Sequence, residues 1–301
     1  MKKRRKKKEG GVVPVSTEYG CDGHCTFCGT AAMLKKSYDG SCCVSCRDVE
    51  DIIQELKMLK AQGVRVVFFT TATFNRRPER LSEICEAIIA AGLHSSLPET
   101  HPDHIKNSLH FYAYVKVGLT KKQAELMARA GFTVLAVGIE SMDEEIVRGF
   151  NKPYSGFQAV VDHLRNVDDA GMLNRGLIIF PTSYDSPETK MRLIKRLKIA
   201  LPDCLRLAHL CPHPGTPEGD RLRKAGLVAV EDYDKYDHNH QVVRLPHFSP
   251  EEAERAQHDI YKGYYLSPEY QKHVLIKIER FPWLKKSFIE FFAGLCRQKG
   301  D

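Results

Sequence analysis

Between residues 12 and 210, short apolar runs rich in Val, Ile and Phe alternate with amphipathic stretches. Continuous apolar runs of roughly four to eight residues predict strands covered on both faces, and the amphipathic stretches predict helices. Repeated alternation of strand and helix requires parallel strands joined by right-handed crossovers. The sequence therefore predicts an α/β fold, a partial (β/α)6 TIM-like barrel of parallel strands. The alternation alone does not separate such a barrel from an open sheet.

The individual elements follow from the apolar spacing and from helix start and stop signals. The predicted strands cover residues 12–17, 65–70, 109–115, 132–137, 173–180 and 204–210. The predicted helices cover residues 48–61, 78–91, 120–130, 143–150, 156–170 and 187–200. Capping signals at Ser249 and Ser267 predict further helices. We therefore expect a basic disordered tail over 1–11, a core barrel over 12–217 and a mostly helical extension over 218–301.

The net charge of +7 is concentrated at the N-terminus, because Lys2 to Lys8 are all basic. Of the 45 Lys and Arg residues, the 38 outside this run equal the 38 Asp and Glu residues in number. A nucleic-acid-binding domain is normally basic along a face or groove, so contact with nucleic acid is expected at most through the tail. No apolar run reaches the ~20 residues of a membrane span, and no secretory signal follows the tail, so we expect a cytoplasmic protein.

Six of the ten cysteines lie between Cys21 and Cys46. Clustering of that kind in a reducing compartment indicates metal chemistry rather than disulfides. Cys21, Cys25 and Cys28 follow the first predicted strand with the spacing C-x3-C-x2-C, and three thiolates on one short loop can converge on one iron–sulfur cube. One iron then has no protein ligand, and an open metal position can bind a substrate or a cofactor.

A zinc site is the alternative interpretation of the same region. Two Cys-x2-Cys pairs separated by 14 residues have nearly the spacing of a structural zinc site, and their members are Cys25, Cys28, Cys43 and Cys46. Together with the basic tail, such a site would form a zinc-binding RNA-interaction module. This interpretation leaves Cys21 and Cys42 unused, and it gives no reason for the strand–helix units beyond the loop.

The segment Cys21-Asp22-Gly23-His24-Cys25-Thr26-Phe27-Cys28 resembles the signature of the radical S-adenosylmethionine (SAM) superfamily, in which an aromatic residue usually precedes the last cysteine. The resemblance implies a [4Fe–4S] cluster on Cys21, Cys25 and Cys28, with SAM bound at the open iron. It also implies that Phe27 lies near the cluster and the adenine of SAM. As a loop residue alone, Phe27 would be an anchor in the core.

Two further motifs extend the resemblance over about residues 12–270. Gly138-Ile139-Glu140-Ser141-Met142-Asp143-Glu144-Glu145, followed by Asn151-Lys152, is similar to a stretch of radical enzymes related to cobalamin-dependent methyltransferases and methylthiotransferases. The resemblance implies that Glu140 and Ser141 bind SAM, with Glu140 reaching its ribose or methionine moiety. From the residues alone, Glu140 could instead cap the next helix. Pro212-His213-Pro214-Gly215-Thr216-Pro217 is similar to a turn of the same enzymes.

The sequence departs from the family pattern at two loops. Thr70 and Thr71 stand where relatives often carry two acidic residues, and their hydroxyls are predicted to hydrogen-bond the amino group of SAM. Residues 180–185 replace the usual Gly-Pro-Gly-Glu turn. The sequence also has no Asp-x-His-x-x-Gly signature of a cobalamin domain. Cobalamin is therefore supported by no motif: either a partner supplies it or the enzyme does not use it.

The resemblance implies an enzyme that cleaves SAM reductively and starts radical chemistry on a substrate carbon, by methylation or by another C–H functionalisation. Such an enzyme is oxygen-sensitive and needs a low-potential electron donor such as ferredoxin or flavodoxin. The sequence identifies neither the substrate nor a catalytic residue.

Further metal-ligating residues lie outside the family core. Cys42, Cys43 and Cys46 fall within five residues of one another and are predicted as a second metal site. His238 and His240 of a polar loop are additional candidate ligands, although solvated loop histidines are commoner.

Overall fold

A computed structural model describes residues 11–30, 32–33, 44–94, 108–152, 156–282, 285–286 and 289–290. The basic tail, Cys42 and Cys43 lie outside these ranges. The strands are β1 (Val12–Val15), β2 (Glu18–Tyr19), β3 (Ser45–Cys46), β4 (Val66–Phe69), β5 (His110–Lys116), β6 (Phe132–Glu140), β7 (Leu173–Ile179) and β8 (Cys204–Ala208). The helices are α1 (Val49–Ala61), α2 (Pro78–Ala90), α3 (Lys121–Ala130), α4 (Glu144–Gly149), α5 (Gly156–Asp169), α6 (Pro187–Ala200), α7 (Pro217–Lys224), α8 (Pro250–Tyr265) and α9 (Pro268–Arg280). None of the helices in these ranges is long and apolar enough to cross a membrane.

Six strands form one parallel sheet in the order β1, β4, β5, β6, β7, β8. Each of these strands is followed in the chain by at least one helix, as the alternation predicts. β1 and β8 are the two ends of this order, so the described strands do not close on themselves. The predicted parallel α/β architecture, a partial and not a closed barrel, is confirmed.

The described chain divides into two compact units. The first contains the residues up to His24, Thr30–Ile139 and Asp162–Arg175. The second contains Cys25–Gly29, Glu140–Val161 and the residues from Gly176 onward. Of the three predicted cluster ligands, Cys21 therefore belongs to the first unit, and Cys25 and Cys28 belong to the second.

An aromatic core organises the first unit. The ring centroid of Phe69 on β4 lies 5.2 Å from that of Phe111 on β5 and 5.7 Å from that of Phe132 on β6. Aromatic pairs at such distances stabilise a core beyond the area that they bury. Helix α3 begins at the predicted residue, because the side chains of Thr120 and Gln123 form a capping box there.

Two tyrosines join the helices after residue 250 to the rest of the second unit. Tyr264 and Tyr270 are buried, and their ring centroids lie 4.7 Å apart. The Tyr264 hydroxyl donates to the Pro202 carbonyl at 2.7 Å, and the Tyr270 hydroxyl donates to the Asp203 carbonyl at 2.5 Å. Helix α8 therefore packs against the loop before β8, and it starts at the Ser249 capping box as predicted.

Strands β2 and β3 and helix α7 do not follow from the sequence pattern. β2 pairs antiparallel with β3, with Glu18 opposite Cys46. Strands of two residues are too short to show a period, so the pattern contains no signal for them. Helix α7 is capped by Thr216, whose hydroxyl accepts from the backbone N–H of Gly219 at 3.0 Å.

Candidate functional site

In the first unit, Arg76 holds the start of the cysteine loop. Its Nη1 donates to Asp22 Oδ2 at 2.8 Å, and its Nε and Nη2 donate to the Glu18 carboxylate at 3.2 and 3.3 Å. Asp22 directly follows Cys21, whose sulfur accepts from the backbone N–H of Gly23 at 3.3 Å. The side chains of Arg76 and Glu18 are each only 6% exposed. Arg76 thus makes charge-assisted hydrogen bonds to one carboxylate before Cys21 and one after it, and these bonds fix the backbone on both sides of Cys21. We call Arg76, Glu18 and Asp22 the arginine clamp.

The charges of the arginine clamp stabilise one another. Burial acts to raise the pKa of Asp22, but the hydrogen bond and the charge of Arg76 lower it below its ordinary value. Burial acts to lower the pKa of Arg76, but its bonds to Glu18 and Asp22 raise it. Asp22 and Arg76 are therefore both charged at neutral pH.

Cys46 lies beside the arginine clamp. It is exposed on β3, and its thiol donates to Glu18 Oε2 at 3.7 Å. Cys42 and Cys43, its partners in the predicted second metal site, lie outside the described residues. The second metal site therefore stays a prediction.

The two threonines after β4 have different surroundings. The Thr71 hydroxyl is buried, lies 2.6 Å from the Thr17 hydroxyl and accepts from the backbone N–H of Thr17 at 3.2 Å. Thr71 thus ties the end of β4 to the loop after β1. Thr70 is exposed, and its backbone N–H donates to the Val15 carbonyl at 2.9 Å. Their contact with SAM stays a prediction.

In the second unit, Cys25 and Cys28 lie on a tight turn, in which the backbone N–H of Cys28 donates to the Cys25 carbonyl at 3.2 Å. Thr26 is held from two sides: its N–H donates to the Phe150 carbonyl at 3.0 Å, and its carbonyl accepts from the Glu218 N–H at 3.0 Å. Both thiols are partly exposed, and neither is in a disulfide. The turn presents two sulfur atoms on a backbone that is fixed by the end of α4 and the start of α7.

Phe27 anchors this turn. Its ring packs edge-on against Phe150, with 5.0 Å between the centroids. It also packs against a buried cluster that consists of Leu210, Leu222, Val242 and Val243. This is the anchoring role that the loop position alone predicts, and proximity to the adenine of SAM stays a prediction.

Glu140 and Lys152 form a half-buried ion pair in the same unit. Glu140 is the last residue of β6, three residues past the predicted end of this strand, and adopts a left-handed backbone conformation with φ of +61°. Lys152 Nζ donates to Glu140 Oε1 at 2.5 Å, and the two side chains are 16% and 13% exposed, respectively. We call these two residues the lysine pair.

The lysine pair also acts on the cysteines. Burial acts to lower the pKa of Lys152, but the Glu140 carboxylate, with further contributions from Cys25 and Cys28, raises it above its ordinary value. The Lys152 ammonium therefore places positive charge near the sulfur atoms of Cys25 and Cys28. Thiolates are the form in which cysteine binds a metal.

Ser141 stabilises the turn after Glu140. Its hydroxyl accepts from the backbone N–H of Asp143 at 3.0 Å, and the Asp143 carboxylate caps α4 by accepting from the N–H of Glu145 at 3.2 Å. The geometry gives Ser141 a local role in holding the end of β6, and contact with SAM stays a prediction for Ser141 and for Glu140.

A second buried carboxylate supports the Cys25–Cys28 turn from α7. Glu218 is 3% exposed, and Arg221 donates to it through Nε at 3.0 Å and Nη2 at 2.7 Å. The Tyr184 hydroxyl donates to the same carboxylate at 3.1 Å. The Arg221 guanidinium also lies 4.6 Å from the centre of the Tyr184 ring. The backbone N–H of Glu218, in the first turn of α7, donates to the Thr26 carbonyl. The network around the Glu218 side chain therefore helps to fix the Cys25–Cys28 turn.

The motifs and the fold match one family of enzymes. The family model described as "Radical SAM superfamily" matches residues 15–197 of this chain. The chain belongs to the radical SAM superfamily. This confirms the resemblance found in the sequence, and the matched segment contains all three cysteines of the loop. Members of the superfamily use a [4Fe–4S] cluster and SAM.

Similar proteins include methyltransferases. The chain is 26% identical over 267 residues to an uncharacterized methyltransferase of Pyrococcus horikoshii, covering 87% of this chain and 52% of the relative. It is 24% identical over 267 residues to the bacteriochlorophyllide d C-12(1)-methyltransferase of Chlorobaculum tepidum, covering 85% of this chain and 53% of the relative. The chain therefore spans about half the length of these relatives.

One solved structure with the same fold is TsrM from Kitasatospora setae, a radical SAM methyltransferase with cobalamin and a [4Fe–4S] cluster bound. Its TM-score with this chain is 0.61 at 20% identity, over 82% of this chain and 47% of TsrM. The likeness shows that the radical SAM fold is shared.

The cysteine loop fits the cluster that the radical SAM superfamily uses. Its three thiols are partly exposed and not in disulfides, and Lys152 adds positive charge near Cys25 and Cys28. Thiolates are the usual protein ligands of such clusters. The zinc-binding RNA-interaction module finds no support in the comparisons, and Cys43, on which it depends, lies outside the described residues.

The sequence assigns no role to Arg76 and Lys152, two charged residues that act on the cysteine loop from outside it. Lys152 stands in a motif that resembles the family, so the motif contained a signal, although nothing in it pairs Lys152 with Glu140. Arg76 and its partner Glu18 are 58 residues apart, and no local pattern connects them.

Proposed function

We propose that this radical SAM chain cleaves SAM reductively and directs the radical chemistry to a carbon atom of a substrate that is still unidentified. The observation that carries the proposal is the C-x3-C-x2-C loop Cys21–Cys28 within the matched segment, whose three thiols are partly exposed and not in disulfides. Methyl transfer is the favoured reaction, because two relatives along most of this chain are named methyltransferases. Another C–H functionalisation is the second candidate.

In this proposal Cys21, Cys25 and Cys28 hold the [4Fe–4S] cluster. When bound, the cluster supplies the low-potential electron for SAM cleavage and an iron position that the protein leaves open. The arginine clamp fixes the backbone after Cys21, and Phe27 anchors the turn between the other two ligands. Lys152 places positive charge near Cys25 and Cys28.

The predicted SAM contacts belong to the same proposal. Glu140 is held at the end of β6 by Lys152, so its carboxylate would accept from a SAM hydroxyl or amino group while it keeps this ion pair. Ser141 holds the turn that follows. Thr70 and Thr71 would bind the amino group, and Thr70 is the exposed member of the two.

The proposed reaction requires a reductant and the exclusion of oxygen. It needs a low-potential donor such as ferredoxin or flavodoxin, and it is oxygen-sensitive. A cytoplasmic location agrees with the described cysteines, none of which is in a disulfide. The division into a core barrel over 12–217 and a helical extension over 218–301 remains part of the proposal, as does contact of the basic tail with nucleic acid.

TsrM contains cobalamin, so the test is run with and without added cobalamin.

The test is anaerobic turnover of the reconstituted chain. Protein is purified without oxygen, reconstituted with iron and sulfide, and incubated with dithionite and SAM in the presence and absence of hydroxocobalamin. We expect about four irons per chain and the formation of 5′-deoxyadenosine and methionine, quantified by mass spectrometry. Formation of S-adenosylhomocysteine with cobalamin present would identify methyl transfer as one use of SAM.

The controls are single cysteine variants. Cys21→Ala, Cys25→Ala and Cys28→Ala should each lose most of the iron and all 5′-deoxyadenosine, whereas Cys204→Ala should keep both. A wild-type protein that binds no iron anaerobically, or cluster variants that form 5′-deoxyadenosine at the wild-type rate, would contradict the proposal.

A further inference from the structure

A cluster of three metal-ligating side chains lies in the second unit outside the Cys21–Cys28 loop. Cys211, His213 and His238 each offer one ligand atom, and these atoms all lie within 4.8 Å of one another. Cys211 is buried, His213 is partly exposed and His238 is exposed. A sulfur and two imidazole nitrogens at such separations can bind one ion after small side-chain rotations.

The backbone holds the ligands from two sides. Cys211 and His213 lie on the turn after β8, where the N–H of His213 donates to the Cys211 carbonyl at 2.9 Å. The loop with His238 folds back onto this turn, because the N–H of His209 donates to the His238 carbonyl at 2.9 Å. The side chain of His209 also lies 2.7 Å from Gln241 Oε1. The positions of the three ligands are therefore fixed before any ion binds.

His238 is held in the tautomer that a metal requires. Its Nδ1 lies 3.1 Å from the carbonyl oxygen of His209, which can only accept, so Nδ1 carries the proton. Nε2 then keeps its lone pair. A ligating histidine whose other nitrogen donates to a backbone carbonyl is the usual arrangement around protein-bound metals. His238 also has a left-handed backbone with φ of +63°, a conformation that is uncommon for a residue with a side chain.

The sulfur of Cys211 is held by the same turn. Its thiol donates to the His209 carbonyl, with 3.9 Å between the sulfur and the oxygen. The His209 carbonyl oxygen therefore lies next to both the Cys211 sulfur and Nδ1 of His238. His240, two residues further on, has a different role, because its Nδ1 lies 2.9 Å from Asp237 Oδ1 on the exposed side of the loop.

We propose that Cys211, His213 and His238 bind a zinc ion that is separate from the thiols of the cysteine loop. One thiolate and two imidazoles are ligands that zinc prefers, and three protein ligands leave the fourth tetrahedral position for water or a substrate atom. The exposure of His238 makes that position accessible. The inference does not depend on radical chemistry.

The site adjoins the residues after Cys28. A Cβ added at Gly29 would lie 3.8 Å from Cγ of His213. The open position of the zinc would therefore take a lone-pair donor of a substrate, such as a thiolate or an imidazole, on the side of the second unit that carries the Cys25–Cys28 turn.

The experiment measures zinc and iron together on the full chain with its cluster. Anaerobic protein is titrated with zinc against a chromophoric chelator, and both metals are counted after gel filtration. We expect one zinc per chain in wild type and in His240→Ala, and at least tenfold weaker binding in Cys211→Ser and His238→Ala. X-ray absorption at the zinc edge should show one sulfur at about 2.3 Å and two nitrogens at about 2.0–2.1 Å.

Two results would overturn the inference. One is equal zinc affinity in wild type and in His238→Ala, a variant at an exposed position. The other is loss of the zinc together with the iron when Cys21, Cys25 and Cys28 are all replaced by alanine, because zinc would then occupy the cluster thiols. Zinc retained by that triple variant supports a separate site, whatever its turnover.

Discussion

The arginine clamp and the lysine pair each place a cation near a cysteine of the loop, but they act on different atoms. Arg76 directs its donors to Glu18 and Asp22, and the clamp therefore fixes the backbone after Cys21. Lys152 pairs with a single carboxylate, and its remaining electrostatic partners include Cys25 and Cys28. The arginine clamp shows how a cysteine loop is positioned. The lysine pair shows how positive charge is placed next to two of its thiols. Loss of the clamp should lower stability, and loss of the lysine should lower iron binding.

The largest expected effect is the loss of stability in Arg76→Met. The variant leaves Glu18, 6% exposed, with a charge that has lost its guanidinium. Breaking a buried ion pair on one side costs about 3–5 kcal/mol. We expect the free energy of unfolding in urea to fall by that order.

The matched control for Arg76→Met is Lys190→Met. Lys190 pairs with Asp259 at 2.7 Å, and the aspartate is 46% exposed. An exposed pair of this kind contributes about 1 kcal/mol or less. Equal losses of stability in the two variants would remove the distinction between a buried clamp and an ordinary surface pair.

A pH series extends the comparison to one buried titratable group in each unit. His163 of the first unit accepts from the Leu119 N–H at 3.1 Å, and burial lowers its pKa to about 4 from 6.5. Below pH 6.5 the unfolded chain gains a proton that the folded chain does not, so this group lowers stability as the pH falls toward 4. In Asp185 of the second unit, burial raises the pKa to about 6 from 3.8, although bonds from Thr182 and Thr189 oppose it.

The effect of acidification on stability through Asp185 has the opposite sign. Its folded form keeps a proton that the unfolded chain releases above pH 3.8, so acidification from pH 6 to 4 raises stability through this group. Each effect is on the order of 3 kcal/mol. Between pH 7 and 4, unfolding free energies should fall less steeply in His163→Gln and more steeply in Asp185→Asn than in wild type. Parallel curves for all three proteins would refute this assignment.

The smallest expected effect concerns iron binding in Lys152→Met. Without the ammonium, a cluster held by Cys25 and Cys28 loses a neighbouring positive charge that offsets the charge of its thiolate ligands. We expect iron per folded chain, measured after anaerobic reconstitution and gel filtration, to fall several-fold, and Lys152→Arg to restore much of it. If Arg76→Met lowers iron per folded chain more than Lys152→Met does, the two roles are assigned the wrong way round.

Much of the fold could be predicted from the sequence because it rests on local signals. Apolar runs such as 132–137 and capping residues such as Thr120 and Ser249 act within a few residues of themselves, and the structure places elements there. β6 extends to Glu140, beyond its predicted end, because the strand continues through Gly138 after the purely apolar run stops. β2 and β3 have no comparable pattern, since two residues cannot display a period.

The site was less predictable, because its contacts join distant residues. The thiol spacing identifies Cys21, Cys25 and Cys28 as candidate ligands, and the motif around Glu140 identifies this carboxylate as a candidate SAM ligand. The sequence does not show that the Lys152 ammonium lies 2.5 Å from the Glu140 carboxylate, nor that His238 reaches the turn with Cys211. The first contact depends on left-handed residues at Glu140 and Asn151, and the second on His238, which lies in a polar segment without a periodic signal.

The most direct test of the central claim is electron paramagnetic resonance of the anaerobic, dithionite-reduced chain with and without SAM. The account predicts the low-temperature signal of a reduced [4Fe–4S] cluster, a change of its g values when SAM is added, and loss of the signal in Cys25→Ala. A wild-type protein without that signal, or one whose signal is unchanged by SAM and persists in Cys25→Ala, would contradict the account.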